Sequence, residues 1–195
     1  MNKSDYDQKP GKIKKTKTKK QKNTWIYVIF VITFILSIVM GLLSNILLKK
    51  LSLVVALFIL AGIIVLGILF DMIGMSVASA KEAPLHAKAA KKHVGAKEAI
   101  RLVKYSEKVS SVCNDVVGDV CGVISGSVAA MLALEISSKL HLSNTATALV
   151  LGAIVASFTV FGKAIGKTIA SNNAEDILYK VGAVIHYISP VKEKK

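Results

Sequence analysis

Asp115 and Asp119 stand four residues apart in the run VSSVCNDVVGDVCGVISGSVAAMLALEI, from Val109 to Ile136, which is otherwise almost wholly apolar or small. On a helix that spacing stacks the two carboxylates one turn above the other, and Ser111 carries the stripe a further turn. Charge inside an apolar span is expensive, so the acids are expected to face protein, water or an ion rather than lipid. Asp71 interrupts a second apolar run, and Lys163 and Lys167, again four apart, interrupt a third. At about 1.5 Å per residue from the ends of their helices, all five charges fall in one layer. Mutual pairing is the economical arrangement, with Lys163 expected to contact Asp115 or Asp119.

Four long apolar runs must carry these groups. The first, residues 24–48, opens with Trp25 and Tyr27, which suit a membrane interface. It is longer than a signal-peptide core and no clear A-x-A cleavage site follows, so a retained helix is expected. The second covers 51–80, the third is the 109–136 run, and the fourth covers about 146–170. Gly118, Gly122 and Gly126 recur every four residues along the third, a flat face that lets another helix approach closely. Between the second and third runs, residues 81–108 are rich in Ala and Lys, with a partial apolar face of Leu85, Ala89, Ala96, Ile100 and Val103. That pattern predicts a helical segment at the membrane surface. His86 and His93 share a face there and read as interfacial titratable residues. Asn173 is placed to cap a last helix with Ile177, Val181, Val184 and Ile188 on its apolar face. The fold expected is an all-α integral membrane protein: four transmembrane helices, a cytoplasmic juxtamembrane segment and a C-terminal amphipathic helix.

Composition agrees. Of 195 residues, 53% are hydrophobic, and the mean hydropathy is +0.55, too apolar for an ordinary soluble domain. The formal charge of +14 sits between the apolar runs rather than on a folded basic surface. Nucleic acid is therefore not an expected partner; the lipid bilayer is. Residues 1–23 carry nine lysines against Asp5 and Asp7 and are expected to be a disordered basic tail. Of the 26 Lys and Arg residues, Lys49, Lys50 and Lys139 alone fall on the opposite side of a four-span layout. The positive-inside rule then puts both termini and the 81–108 segment in the cytoplasm of a multi-pass cell-membrane protein. Cys113 and Cys121, about 12 Å apart along one helix, are too far apart to pair. No nucleophile–base constellation appears, so catalysis is not expected.

Three stretches resemble the CNNM/CorC-type transmembrane domain. FGKAIGKTIASNNAE, from Phe161 to Glu175, is similar to that family's FGE-x-x-PK-x-x-A-x-x-NAE signature. SSVCNDVVGDV, from Ser110, is similar to its ST-x-L-x-GN-x-x-x-N segment, with Asn114 at the motif glycine and Asp115 and Asp119 at the two asparagines. Phe70 to Ser79 resembles its FFS-x-x-E-x-A-x-x-S helix end, with Asp71 at the first serine and Ser79 at the second. The resemblance covers about residues 51–190, leaving 24–50 as an extra N-terminal transmembrane helix and 191–195 as a basic end. The paired CBS domains that usually follow are expected to be absent.

The resemblance implies a homodimer that handles magnesium or cobalt, with a dehydrated magnesium ion held by serine, asparagine, glutamate and backbone oxygens. Asp71, Ser79, Ser111, Asp115 and Asp119 would be the metal-facing residues here, and hard oxygens of this kind suit magnesium. Two departures bear on this: Lys163 stands at the signature glutamate and Gly166 at its proline. Either the chain is a divalent-cation transporter, or it is a non-transporting relative in which Lys163 takes the place of the ion.

Overall fold

The structure is a computed structural model that describes residues 13–48 and 52–188. Residues 1–12 of the basic tail, the Lys49–Lys50 turn and the 191–195 end lie outside the described residues. All described elements are helical. Four helices are long and apolar enough to cross a membrane, with spans at Trp25–Leu42, Leu53–Ser79, Ser106–Leu140 and Asn144–Asn172.

Helix α1 (Ile13–Leu48) contains the first span. Its less exposed edge is Trp25, Ile29, Thr33, Ser37, Gly41 and Ser44, nearly all four residues apart, and the helix packs beside the third span. Residues 13–23, expected as unfolded tail, continue this helix. Lysine is a good helix former, and extending an existing helix costs far less than starting one.

Helix α2 (Leu53–Ser79) ends where Ala80 turns extended. Two short helices follow, α3 (Glu82–Ala90) and α4 (Ala96–Lys104). Pro84 sits in the first turn of α3, where a missing N–H costs nothing. The turn between them uses left-handed backbone at Lys92 and Gly95. It folds α4 back, so Leu85, Ala96 and Ala99 are buried within the protein. The surface-lying apolar face expected for this segment thus packs inward, against α2 and the last helix.

After a bend at Tyr105, the third span comprises α5 (Ser106–Ser111), a π-helical segment (Val112–Gly118) and α6 (Asp119–Leu140). His141, in left-handed backbone, ends α6. Helix α7 (Asn144–Asn172) returns, and α8 (Ala174–Ile188) lies across α2 and α4. Asn173 serves both: its Nδ2 donates to the Ile169 carbonyl of α7, while its own carbonyl accepts the Ile177 N–H of α8.

Two cores hold this together. In the bundle, Ala56 and Leu60 of α2 meet Val120, Ile124, Val128 and Leu132 of α6, with Leu151 and Val155 of α7 against them. At the lysine-rich end, Val77, Leu85, Ala99 and Leu178 join α2, α3, α4 and α8. The face of α8 differs from expectation. Ala174, Leu178 and Gly182 are buried, whereas Val184 and Ile188 are exposed. Gly182 decides this: its Cα lies against the Gly95 carbonyl and Ala99, so the helix turns its smallest residue to the closest contact. Around that contact Lys88 donates to Asp176 at 2.7 Å and the Lys81 N–H to Glu175 at 3.2 Å. The hydrogen bond from Lys88, and then its charge, hold Asp176 below the usual carboxylate value.

Candidate functional site

Asp71 is the buried acid of the bundle, 4% exposed on the third-last turn of α2. It faces the π-helical segment and α7. Two glycines make room. A Cβ at Gly74 would collide with the Asn114 side chain, so the π segment lies directly on α2 there. At Gly118 a Cβ would stand 3.6 Å from Lys163 Nζ and 3.9 Å from Asp71 Oδ1, which brings the lysine of α7 and the acid of α2 to the same point. Lys167, one turn on, places its half-exposed ammonium 3.7 Å from Asp71 Oδ2.

The five charges do not form one cluster. Asp115 and Asp119 project from the exposed side of the third span. Asp115 accepts the Ser111 hydroxyl at 2.7 Å, which satisfies both groups locally. Lys163 is directed at Gly118 and Asp71, not at Asp115 or Asp119 as expected, and the ion pair that forms is Lys167–Asp71. The π segment is the reason. Its hydrogen bonds span one residue more than those of an α-helix, so α-helical spacing no longer tells which face a residue takes. Ser79 lies two turns beyond Asp71, about 12 Å along α2. Among the described residues, no three His, Cys, Asp or Glu side chains are grouped to hold a metal ion.

Among the described residues four buried side-chain oxygens lack a hydrogen-bond partner: Asp71 Oδ2, Asn114 Oδ1, Ser76 Oγ and, on α1, Thr33 Oγ1. Each such group costs of the order of 1–3 kcal/mol. Asp71 and Asn114 belong to one layer, bracketed by Gly74 and Gly118; Ser76 faces elsewhere, since it is two residues past Gly74 on α2. This layer offers a carboxylate and an amide oxygen without donors, beside a backbone loosened by π geometry and two mobile-length ammonium side chains. It can hold a hard cation or a lysine head. Sequence reasoning placed Asn114 at a motif glycine and missed it as an oxygen donor. An asparagine amid apolar residues next to Asp115 was the available signal.

The glycine stripe divides. Gly118 works inside the bundle, beside Lys163 Nζ and Asp71 Oδ1. A Cβ at Gly122, Gly126 or Gly152 would meet nothing within 4 Å. These three line an open groove of about 360 Å³ between α6 and α7, with Ser125, Ala156 and Thr159 also in its wall. Asp115, Asp119, Gly122, Gly126 and Ala130 are all exposed and run along one side of the third span.

One further pair went unread. Glu98, buried in α4, binds His186 Nδ1 of α8 at 2.7 Å. His86 stands 3.8 Å from Glu82, and His93 packs edge-on to Tyr179.

No curated protein and no solved structure matched the chain. A family model described as the Cyclin M transmembrane N-terminal domain matches residues 58–191, which takes in most of α2, the whole third span, α7, α8 and both lysines of the layer. Helix α1 precedes the match. An integral membrane bundle with this match over more than half its length belongs to the CNNM transmembrane-domain family.

Proposed function

We propose that this protein moves a divalent cation, magnesium or a close relative such as cobalt, through the layer at Asp71 and Asn114. The observation that carries the reading is the pair of buried, donor-free oxygens, Asp71 Oδ2 and Asn114 Oδ1, in the family-matched region. Oxygen donors of this type suit magnesium, which keeps several waters and takes only one or two carboxylates. Lys167 and Lys163 act as tethered cations that neutralise Asp71 when the substrate ion is away. Cation and ammonium compete for the same oxygens, so entry of the ion requires the lysine heads to swing out. Calorimetric titration of the purified protein with magnesium, and flux into proteoliposomes, test this. Binding is expected to tighten in Lys167→Met, which removes the competitor, and to be lost in Asp71→Asn. A wild type and a Lys167→Met that neither bind nor conduct magnesium would sink the reading.

The Lys167–Asp71 ion pair favours a second reading, in which the lysines hold the layer shut for good and the protein is a non-transporting membrane partner. It predicts that Lys167→Met destabilises the fold without creating any ion dependence.

In this reading both termini and the α3–α4 segment are cytoplasmic, on the strength of the charge asymmetry, and two copies assemble through the exposed side of the third span. Carboxylates at Asp115 and Asp119 are costly against lipid, and the small residues beyond them admit a second helix closely. Gly122→Leu fills open space in the single chain, so it is expected to leave thermal stability within about 1 kcal/mol. It is expected to abolish the dimer in size-exclusion chromatography with light scattering. An unchanged dimer would place the interface elsewhere.

A further inference from the structure

Lys108 reaches back from the start of the third span and sets its ammonium 5.1 Å from the ring centroid of Trp25, at the start of the first. Two span ends meet there, so the contact lies at headgroup depth, where tryptophan is at home. Around it α4 delivers three more exposed groups on its final turn and at the bend that follows: Arg101, Lys104 and the half-exposed Tyr105. Arg101 and Lys104, three residues apart, are neighbours on one side of α4, and Lys108 follows on α5 just past the bend at Tyr105. Glu107 is the nearby acid, and it is already engaged within the chain. The buried Nε1–H of Trp25 finds no acceptor among the described residues. The corner therefore holds a surplus of donors and positive charge, with aromatic rings, at the level of lipid phosphates.

We infer that Arg101, Lys104 and Lys108, with Trp25 and Tyr105, form a binding site for the headgroup of an anionic phospholipid. A phosphodiester supplies the acceptor oxygens the corner lacks. Its acyl chains run alongside α1 and the start of the π segment, whose exposed residues there, Ile26, Val28 and Val112, are apolar. A soluble phosphate would gain nothing from that apolar wall, and nucleic acid does not reach headgroup depth. Trp25, on α1, lies outside the family match, whereas the three cations and Tyr105 lie within it, so the first span completes the corner. The site does not depend on cation transport: Lys108 precedes Asn114 of the Asp71 layer by six residues along the third span, and the corner's occupancy is read without magnesium.

Trp25 is the single tryptophan of the chain, so its fluorescence reports on this corner alone. Purified protein in neutral detergent with chelator is titrated with short-chain phosphatidylglycerol and, separately, with phosphatidylcholine of the same chain length. Phosphatidylglycerol is expected to shift Trp25 emission saturably, because the phosphate draws the Lys108 ammonium from the ring; phosphatidylcholine is not. Arg101→Gln/Lys104→Gln is expected to raise the half-saturation concentration roughly 20-fold, at about fivefold for each cation. Lys91→Gln/Lys92→Gln removes the same charge in the turn between α3 and α4, beyond the opposite end of α4 from the corner, and is expected to change it less than about twofold. Equal responses to the two lipids would overturn the proposal, and so would equal losses in the two variants, which mean diffuse attraction only. Inorganic phosphate that reproduces the shift at the same concentration would overturn it in favour of a soluble-anion site. Should the first variant fail to fold, the comparison of the two lipids on the wild type decides.

Discussion

Replacing Lys163 and Lys167 together with methionine is expected to cost about 3 kcal/mol of stability in the presence of chelator, near the lower end for stranding one member of a buried pair. The lower end applies because Lys167 is itself half-exposed and its attraction to Asp71 is partly screened. Asp71, by contrast, is 4% exposed and has no other partner for Oδ2, so its charge is left bare. Of the single variants, Lys167→Met is expected to carry the larger share, since it makes the ion pair. Magnesium at a hundred times its dissociation constant is then expected to return about 2.7 kcal/mol through mass action on the native state. Thermal unfolding of the detergent-solubilised variant, with chelator and with rising magnesium, measures both terms. Loss without rescue is the result expected of a lysine that serves structure alone. Adding Asp71→Asn to the double variant removes the bare charge and is expected to recover most of the loss without any ion.

The other large effect is expected at Gly95. Its φ of +86° is left-handed, and a Cβ there would collide with the backbone of Gly182 and Ala183 on α8. Gly95→Ala adds the left-handed penalty of about 1–2 kcal/mol to an overpacking cost of about 1–3 kcal/mol. Backbone cannot step aside as a flexible side chain can, so α8 is expected to lift from α4 and expose Leu178 and the Glu98–His186 pair. Amide exchange localises the damage: α8 loses protection while α6 keeps it. Gly152→Ala is the contrasting case. It lies in an α-helix with nothing within 4 Å of the new methyl, and is expected to be neutral or stabilising by up to about 1 kcal/mol. Equal behaviour of the two variants would contradict the close-contact account of α8.

The four spans were legible because length and apolarity settle them, and the two readings of each span differ by a few residues at the ends. The small-residue character of Gly122 and Gly126 was legible too, though not which neighbour each would meet. What could not be read is anything decided by contact between elements. The residues of α8 with the strongest apolar pattern, Val184 and Ile188, lost to Gly182 because backbone contact outweighs a tidy stripe. Residues 81–108 looked amphipathic against lipid, yet the left-handed turn at Lys92 and Gly95 gave their apolar side to protein. Charge placement by helical rise put Asp71, Lys163 and Lys167 at the right depth, and the depth was sufficient to bring them together. Direction was the failure: Asp115 and Asp119 share that depth but face outward, because a π turn stands between the spacing in sequence and the face in space.

That turn makes the third span a helix with a built-in dislocation, one surplus residue held between Val112 and Gly118. Dislocations are sensitive to number more than to kind. Substituting a side chain within the segment leaves the count unchanged, and the helices on either side keep their phase. Removing one residue lets the segment close into plain α-helix and turns everything beyond it by about 100° against everything before it. Gly118 would then no longer face Asp71 and Lys163, although every functional residue type was still present. A one-residue deletion here is therefore a more severe lesion than most substitutions, and alignment of this span with any other is meaningful only once the surplus residue has been placed.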